Sequence, residues 1–113
     1  SREQPFPKTM RLLKAADFKR AFATGKRIRC GTFTLIVESN EFEHPRLGLA
    51  VSRKAAVKAV DRNRIKRVVR ESFRSRAAAI PAFDIVVQAT RKAQTQPNNM
   101  LSRKLDDLWR QLK

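Results

Sequence analysis

The 113-residue sequence predicts an α+β fold, a two-layer sandwich in the order helix, strands, helix, strand, helix. Three observations lead there. Two apolar stretches, "TFTLIV" and "RLGLAV", alternate with a period of two. A third, "FDIVVQ", is rich in β-branched residues, and two long segments carry apolar residues at helical spacing. A helix set between strands implies a strand-helix-strand unit, which lays that helix on one face of the sheet. The length suits a single domain over 1–113 with a modest core.

Taken in order, residues 1–13 read as an extended arm, because Pro5 and Pro7 lack backbone donors and keep their predecessors out of the α region. A short helix follows in "KAADFKRAFATGK", where Ala15, Phe18 and Phe22 share a face and Gly25 is expected as the left-handed residue that closes it. In "RIRCGTFTLIVES", Phe33, Leu35 and Val37 alternate with Thr32, Thr34 and Ile36, a strand with two occupied faces that ends at the turn "NEFEHPR". In "RLGLAVS", Leu47, Leu49 and Val51 alternate with Gly48 and Ala50, giving one bulky face and one nearly bare face open to close approach. These two strands are expected as neighbours in one sheet.

After the basic turn "SRKAAVKA", a helix is expected from about Val60 to Ala79, ended by Pro81. On it Ile65, Val68, Val69 and Phe73 gather on one side, while Asn63, Lys66, Arg67, Arg70 and Arg74 gather on the other. A third strand from Phe83 to Lys92 and a loop, "KAQTQPNN", lead to the last helix. There Leu101, Leu105, Leu108 and Leu112 fall on one face beside Trp109, so this helix is expected to pack on the sheet.

Charge is the strongest global clue. Twenty-six Lys and Arg against ten Asp and Glu leave +16, a self-repulsion that a polyanion would neutralise. With 42% hydrophobic residues the chain is no disordered polycation, and no apolar run approaches the roughly 18 residues of a membrane span. Cys30 stands alone and His44 is the single histidine, so neither an internal disulfide nor a Cys/His zinc site is available. Ser1 to Lys8 is polar and does not read as a secretory signal, which makes a reducing cytoplasm the expected location.

The acids do not converge as a magnesium site would require: Asp106 and Asp107 diverge on their helix, and Glu38, Glu41 and Glu43 lie around a strand end. Ser52, Ser72, Ser75 and Cys30 have no visible base, and His44 beside Pro45 has no partner at informative spacing. No catalytic or metal-binding residue is therefore assigned. The basic helix reads as a binding surface, since Lys66 and Arg70, and Arg70 and Arg74, place like charges at i and i+4, where ordinary surface helices mix signs.

Asn63 admits two readings, a helix-start residue bonding the backbone or a side chain that offers both donor and acceptor to a nucleotide. Arg62 and Arg64 flank it on opposite sides and are expected to straddle two backbone segments of a folded RNA. Phe18 and Phe22 are either core or the stacking surface of a shallow groove, whose facing strands bear only Thr32, Thr34, Gly48 and Ala50. Arg53 and Lys54, just beyond the second strand, would give such a groove its cationic margin.

With these features in place, "RNRIKRVVRESFR", preceded by "RLGLAVSRK" and further upstream by "RLLKAADFKRAF", resembles the protein subunit of bacterial ribonuclease P from about Phe6 to Lys113. An Arg-Asn-Arg triplet inside an amphipathic helix, at this distance after a Gly-hydrophobic-Val-Ser-basic strand, is that family's hallmark. The resemblance implies a ribonucleoprotein that removes the 5′ leader from precursor tRNA, one protein per RNA and away from membranes. Its large RNA subunit holds the catalytic magnesium ions, and the protein supplies no catalytic side chain. It implies contacts to the catalytic RNA from Arg53, Lys54, Arg62, Asn63, Arg64, Lys66, Arg67 and Arg70. It also implies a leader-binding cleft of Phe18, Phe22, Thr34 and Ile36, the last standing where some relatives have an aromatic residue. The family's strand-helix-strand crossover is left-handed, against the general right-handed rule.

Two other classes compete. A generic RNA- or ribosome-binding module would show no preference for a tRNA leader, and a self-sufficient metal nuclease would cut precursor tRNA without any RNA subunit.

Overall fold

The structure, a computed structural model, describes residues 14–112; the expected arm over 1–13 lies outside them. Helix α1 (Ala15–Thr24) leads into strands β1 (Lys26–Arg29), β2 (Phe33–Ser39) and β3 (Arg46–Ala50). Helix α2 (Ala59–Arg76) runs on into a 3₁₀ turn, Ala77–Ala79, before Pro81, and is followed by β4 (Phe83–Ala89), the one-turn α3 (Arg91–Thr95) and α4 (Asn98–Arg110).

The sheet order is β1-β2-β4-β3, with β2 antiparallel to β1 and β4, and β3 parallel to β4. So β2 and β3 share a sheet but are not neighbours, contrary to expectation, because β4 inserts between them through the β3-α2-β4 unit. Two further differences are local. "RIR" belongs to a separate strand, β1, whose cations suit an exposed edge, and it is joined to β2 through Gly31 at φ 87°. The expected third strand stops at Ala89, and α3 occupies part of the expected loop.

Alternation sorts the strand side chains onto two faces. On one, Phe33, Leu35 and Val37 of β2, Leu47 of β3, and Ile85 and Val87 of β4 pack with the apolar stripes of α2 and α4 as the main core. On the other, Ile36 and Val86 meet Ala21, Phe18 and Phe22 of α1. The two-layer expectation therefore holds for the sheet with α2 and α4, while α1 adds a partial third layer on the far face. Helix α4 packs against α2 as well as the sheet: the Trp109 indole N–H donates to Ser72 Oγ at 2.8 Å, and Phe73 meets the Trp109 ring edge-on.

Gly25 is corrected too. Its backbone is extended (φ −72°, ψ 151°), not left-handed, and its N–H caps α1 on the Ala21 carbonyl. Glycine is required by space, because a Cβ here would lie 2.5 Å from the Ala21 carbonyl oxygen and 2.6 Å from Ile36 Cγ2. Among the described residues no helix is long and apolar enough to cross a membrane.

Candidate nucleic-acid interface

Helix α2 buries Ile65, Val68, Val69 and Phe73 in the main core, which leaves its opposite side facing outward. Asn63, Arg67 and Arg70 are exposed there, with Lys66 and Arg74 half-buried beside them. The turn before the helix is pinned by Ser52, whose Oγ accepts from the Ala55 N–H at 3.2 Å and whose carbonyl accepts from both Ala55 and Ala56. Ala55 and Ala56 are buried, so the turn is anchored while Arg53 and Lys54 stand in solvent.

Arg62 and Arg64 are half-buried and bond to the protein itself. Arg62 Nη1 donates to the carbonyls of Ala56 at 3.0 Å and Val57 at 2.7 Å. Arg64 reaches the connection between α3 and α4, with Nη1 on the Gln96 carbonyl and Asn98 Oδ1 (3.1 and 2.7 Å) and Nη2 on the Ala93 and Gln94 carbonyls (3.4 and 3.1 Å). These partners lie up to 34 residues away, a relation no local spacing encodes.

A second surface lies on the α1 side of the sheet and falls into three cross-strand rows. Arg27, Ile36, Val86 and Gly48 make the middle row; Ile36 and Val86 are fully buried under α1. Ile36 was expected to touch the ligand, but its side chain has no exposed surface and instead supports Phe18 and Phe22 from below. Glu38, Asp84 and Arg46 make the row at one end, where Asp84 accepts from Arg46 Nε and Nη2 at 2.8 and 2.7 Å, and Asp17 and Arg20 of α1 join the network. Thr24 of α1 also bonds Glu38. Burial pushes Asp84 up, but the hydrogen bonds from Arg46 and Asn40 and the charges of Arg46 and Arg20 outweigh it and hold its carboxyl below the usual value. Arg46 is raised in turn, chiefly by its hydrogen bond to Asp84.

Arg29, Thr34, Gln88 and Ala50 make the row at the other end. None of the four is fully buried. With Phe18 and Phe22 partly exposed above the middle row, this side offers a shallow floor of aromatic edges, a hydroxyl, an amide and a guanidinium.

The two surfaces converge. Because β3 and β4 are parallel and β2 begins opposite the end of β4, the open row, the Ser52 turn and α3 all lie at one edge of the sheet. Arg91 Nε donates to the Lys54 carbonyl at 3.3 Å, and the Thr90 N–H donates to the Thr32 carbonyl at 2.9 Å, tying that edge together. Arg29, Gln88, Arg91 and Lys92 belong to this region, with Arg27 in the neighbouring middle row, and all five were missed in the sequence. For Arg27 and Arg29 a signal existed: they flank Ile28 at strand spacing in "KRIR". Among the described residues, no three His, Cys, Asp or Glu side chains gather as metal ligands.

An α+β protein with a one-sided cationic helix, a cationic sheet edge and a partly aromatic cleft is built as the protein half of a ribonucleoprotein. The chain belongs to the ribonuclease P protein family: the family model described as Ribonuclease P matches residues 6–113. It is 46% identical to the ribonuclease P protein component of Nitrosococcus oceani over 92% of this chain and 87% of that protein. The corresponding protein of Aliivibrio fischeri is 43% identical over 95% and 92%. Among solved structures, the RNase P protein of Staphylococcus aureus superposes with a TM-score of 0.84 at 36% identity, over 88% of this chain and 92% of that one. The RNase P protein of Thermotoga maritima gives 0.82 at 34% identity, over 91% and 97%. The chain is thus a protein subunit of ribonuclease P, a partner of its RNA that assists 5′ leader processing of tRNA.

Proposed function

We propose that this chain is the non-catalytic subunit of its ribonucleoprotein, a single domain bound once per RNA in the cytoplasm, with two surfaces of distinct roles. Asn63, Lys66, Arg67 and Arg70 of α2, with Arg53 and Lys54 of the preceding turn, bind the ribonuclease P RNA by neutralising its backbone. Phe18, Phe22 and Thr34 line the cleft that receives the single-stranded leader of precursor tRNA, where apolar rings meet unstacked bases. The observation that carries this reading is the convergence of the cationic edge and the open row of the cleft at one end of the sheet, so that a strand leaving the RNA-bound side enters the groove directly.

Magnesium is assigned mainly to the RNA, whose phosphate oxygens are the hard ligands this ion takes. The test is reconstitution of the chain with ribonuclease P RNA at low magnesium, with affinities measured for leader-bearing precursor and mature tRNA. The expected outcome is tighter binding of the precursor only when the chain is present; equal affinities overturn the reading. Cleavage by the chain freed of all RNA would overturn the non-catalytic assignment.

A further inference from the structure

We propose that Arg62 and Arg64 are positioning residues: they serve RNA binding by clamping two cation-bearing segments of the protein against α2, on either side of Asn63, and not by acting as point charges on the RNA. This inference rests on the RNA-binding reading of α2.

Both guanidiniums are aimed at protein carbonyls. Arg62 grips the end of the turn that bears Arg53, Lys54 and Lys58. Arg64 grips the stretch from Ala93 to Asn98 with four hydrogen bonds, three of them to carbonyls within or just past α3, the helix that begins with Arg91 and Lys92. A one-turn helix cannot satisfy its own last carbonyls, and a turn feeding a helix leaves carbonyls outside the intrahelical pattern. A guanidinium answers this need because its five N–H donors form a rigid planar fork, whereas an ammonium is a point with three donors on a flexible stem. The two segments are also joined to each other through Arg91 and the Lys54 carbonyl. Turn, α3 and the start of α2 therefore form one unit, and Asn63 is presented at its exposed centre.

The consequence for binding is preorganisation. If the clamped segments were loose, the RNA would have to order them on association, and affinity would fall without loss of any charge. A lysine at 62 or 64 keeps the charge and loses the fork, so it separates the two roles.

The experiment measures affinity for ribonuclease P RNA against KCl concentration for the Arg62→Lys, Arg64→Lys and Arg64→Ala chains, at a temperature where circular dichroism shows each fully folded. Amide hydrogen exchange over residues 53–58 and 93–98 is recorded in the same buffer. Arg64→Lys is expected to lose about as much affinity as Arg64→Ala, roughly tenfold, with the salt slope of the parent and faster exchange over 93–98. Arg62→Lys should show the same pattern over 53–58. Parent-like affinity of the lysine variants overturns the proposal, since charge alone would then suffice. Folded alanine variants that bind like the parent overturn it as well, since the clamps would then matter only to stability. Arg67→Ala and Arg70→Ala probe the underlying reading separately: each should flatten the slope by about one unit. An unchanged slope there would overturn the RNA-binding role of α2, while the exchange measurement would still decide whether the clamps exist.

Discussion

Asp84 shows how a single buried acid shapes a cationic protein. It is 1% exposed and accepts hydrogen bonds from Arg46 and Asn40, with Arg20 at 3.5 Å. Removing one member of a buried ion pair leaves the other desolvated without compensation, so Asp84→Ala should destabilise the fold by about 3–5 kcal/mol in urea denaturation at neutral pH. The sign of the pH dependence follows from the lowered carboxyl. Because its folded-state value lies below the unfolded one, the stabilisation is fully present above the unfolded value, near 3.8, and is lost as pH falls through the lower folded value. The stability gap between the parent and Asp84→Asn should therefore shrink in acid below about pH 4; a gap that widens there would contradict the network. Since Asp84 links the sheet to Asp17 and Arg20 of α1 through arginines, the same titration should loosen α1 and the cleft it roofs.

At the level of elements, a hydrogen bond set among apolar side chains helps join α2 to α4. Trp109 is 4% exposed, and Ser72 Oγ is the acceptor for its indole N–H. Ser72→Ala strands that donor and should cost about 1–3 kcal/mol, whereas the same change in a Trp109→Phe background should cost much less. Equal costs in the two backgrounds would show that the bond is not the source. Such partnerships mark the limit of what the sequence reveals. The stripe of Ile65, Val68, Val69 and Phe73 was legible because its period is local, and so was the alternation of Phe33, Leu35 and Val37. The neighbour of β2 was not legible, because β4 arrives more than forty residues later and pairing across such a separation leaves no periodic trace. Gly25 was read for its torsional freedom when the fold uses its missing side chain, a demand set by the Ala21 carbonyl and by Ile36 on another element. At the candidate site, the cationic face of α2 and the Phe18 and Phe22 pair could be read from spacing. The inward aim of Arg64 depends on carbonyls that tertiary structure alone brings near, whereas Arg62 turns back on carbonyls five and six residues before it.

At the scale of the whole molecule, the chain carries +16, and the cations of the described residues are spread unevenly within a body measuring 39 × 36 × 24 Å. Asp17, Glu38 and Asp84 sit with Arg20 and Arg46 at one end of the cleft, while Arg29, Arg53, Lys54, Arg91 and Lys92 lie toward the other, without a comparable set of acids among the described residues. At about 10 mM salt the screening length is roughly 30 Å, comparable to the molecule, so nearly every cation repels every other; at about 0.1 M it falls to roughly 10 Å and the distant repulsions fade. The buried Asp84–Arg46 pair is screened much less, because water and ions do not reach between its partners. Repulsion should thus weaken faster than attraction as salt rises. The free chain is expected to gain stability, on the order of 1 kcal/mol, between 10 and 150 mM KCl, while its affinity for RNA falls over the same range. Urea midpoints and RNA titrations in matched buffers check the pair of trends. A chain whose stability declined with salt would place more of its energy in surface ion pairs than in escape from its own charge, and the opposite signs expected for folding and binding would not be seen.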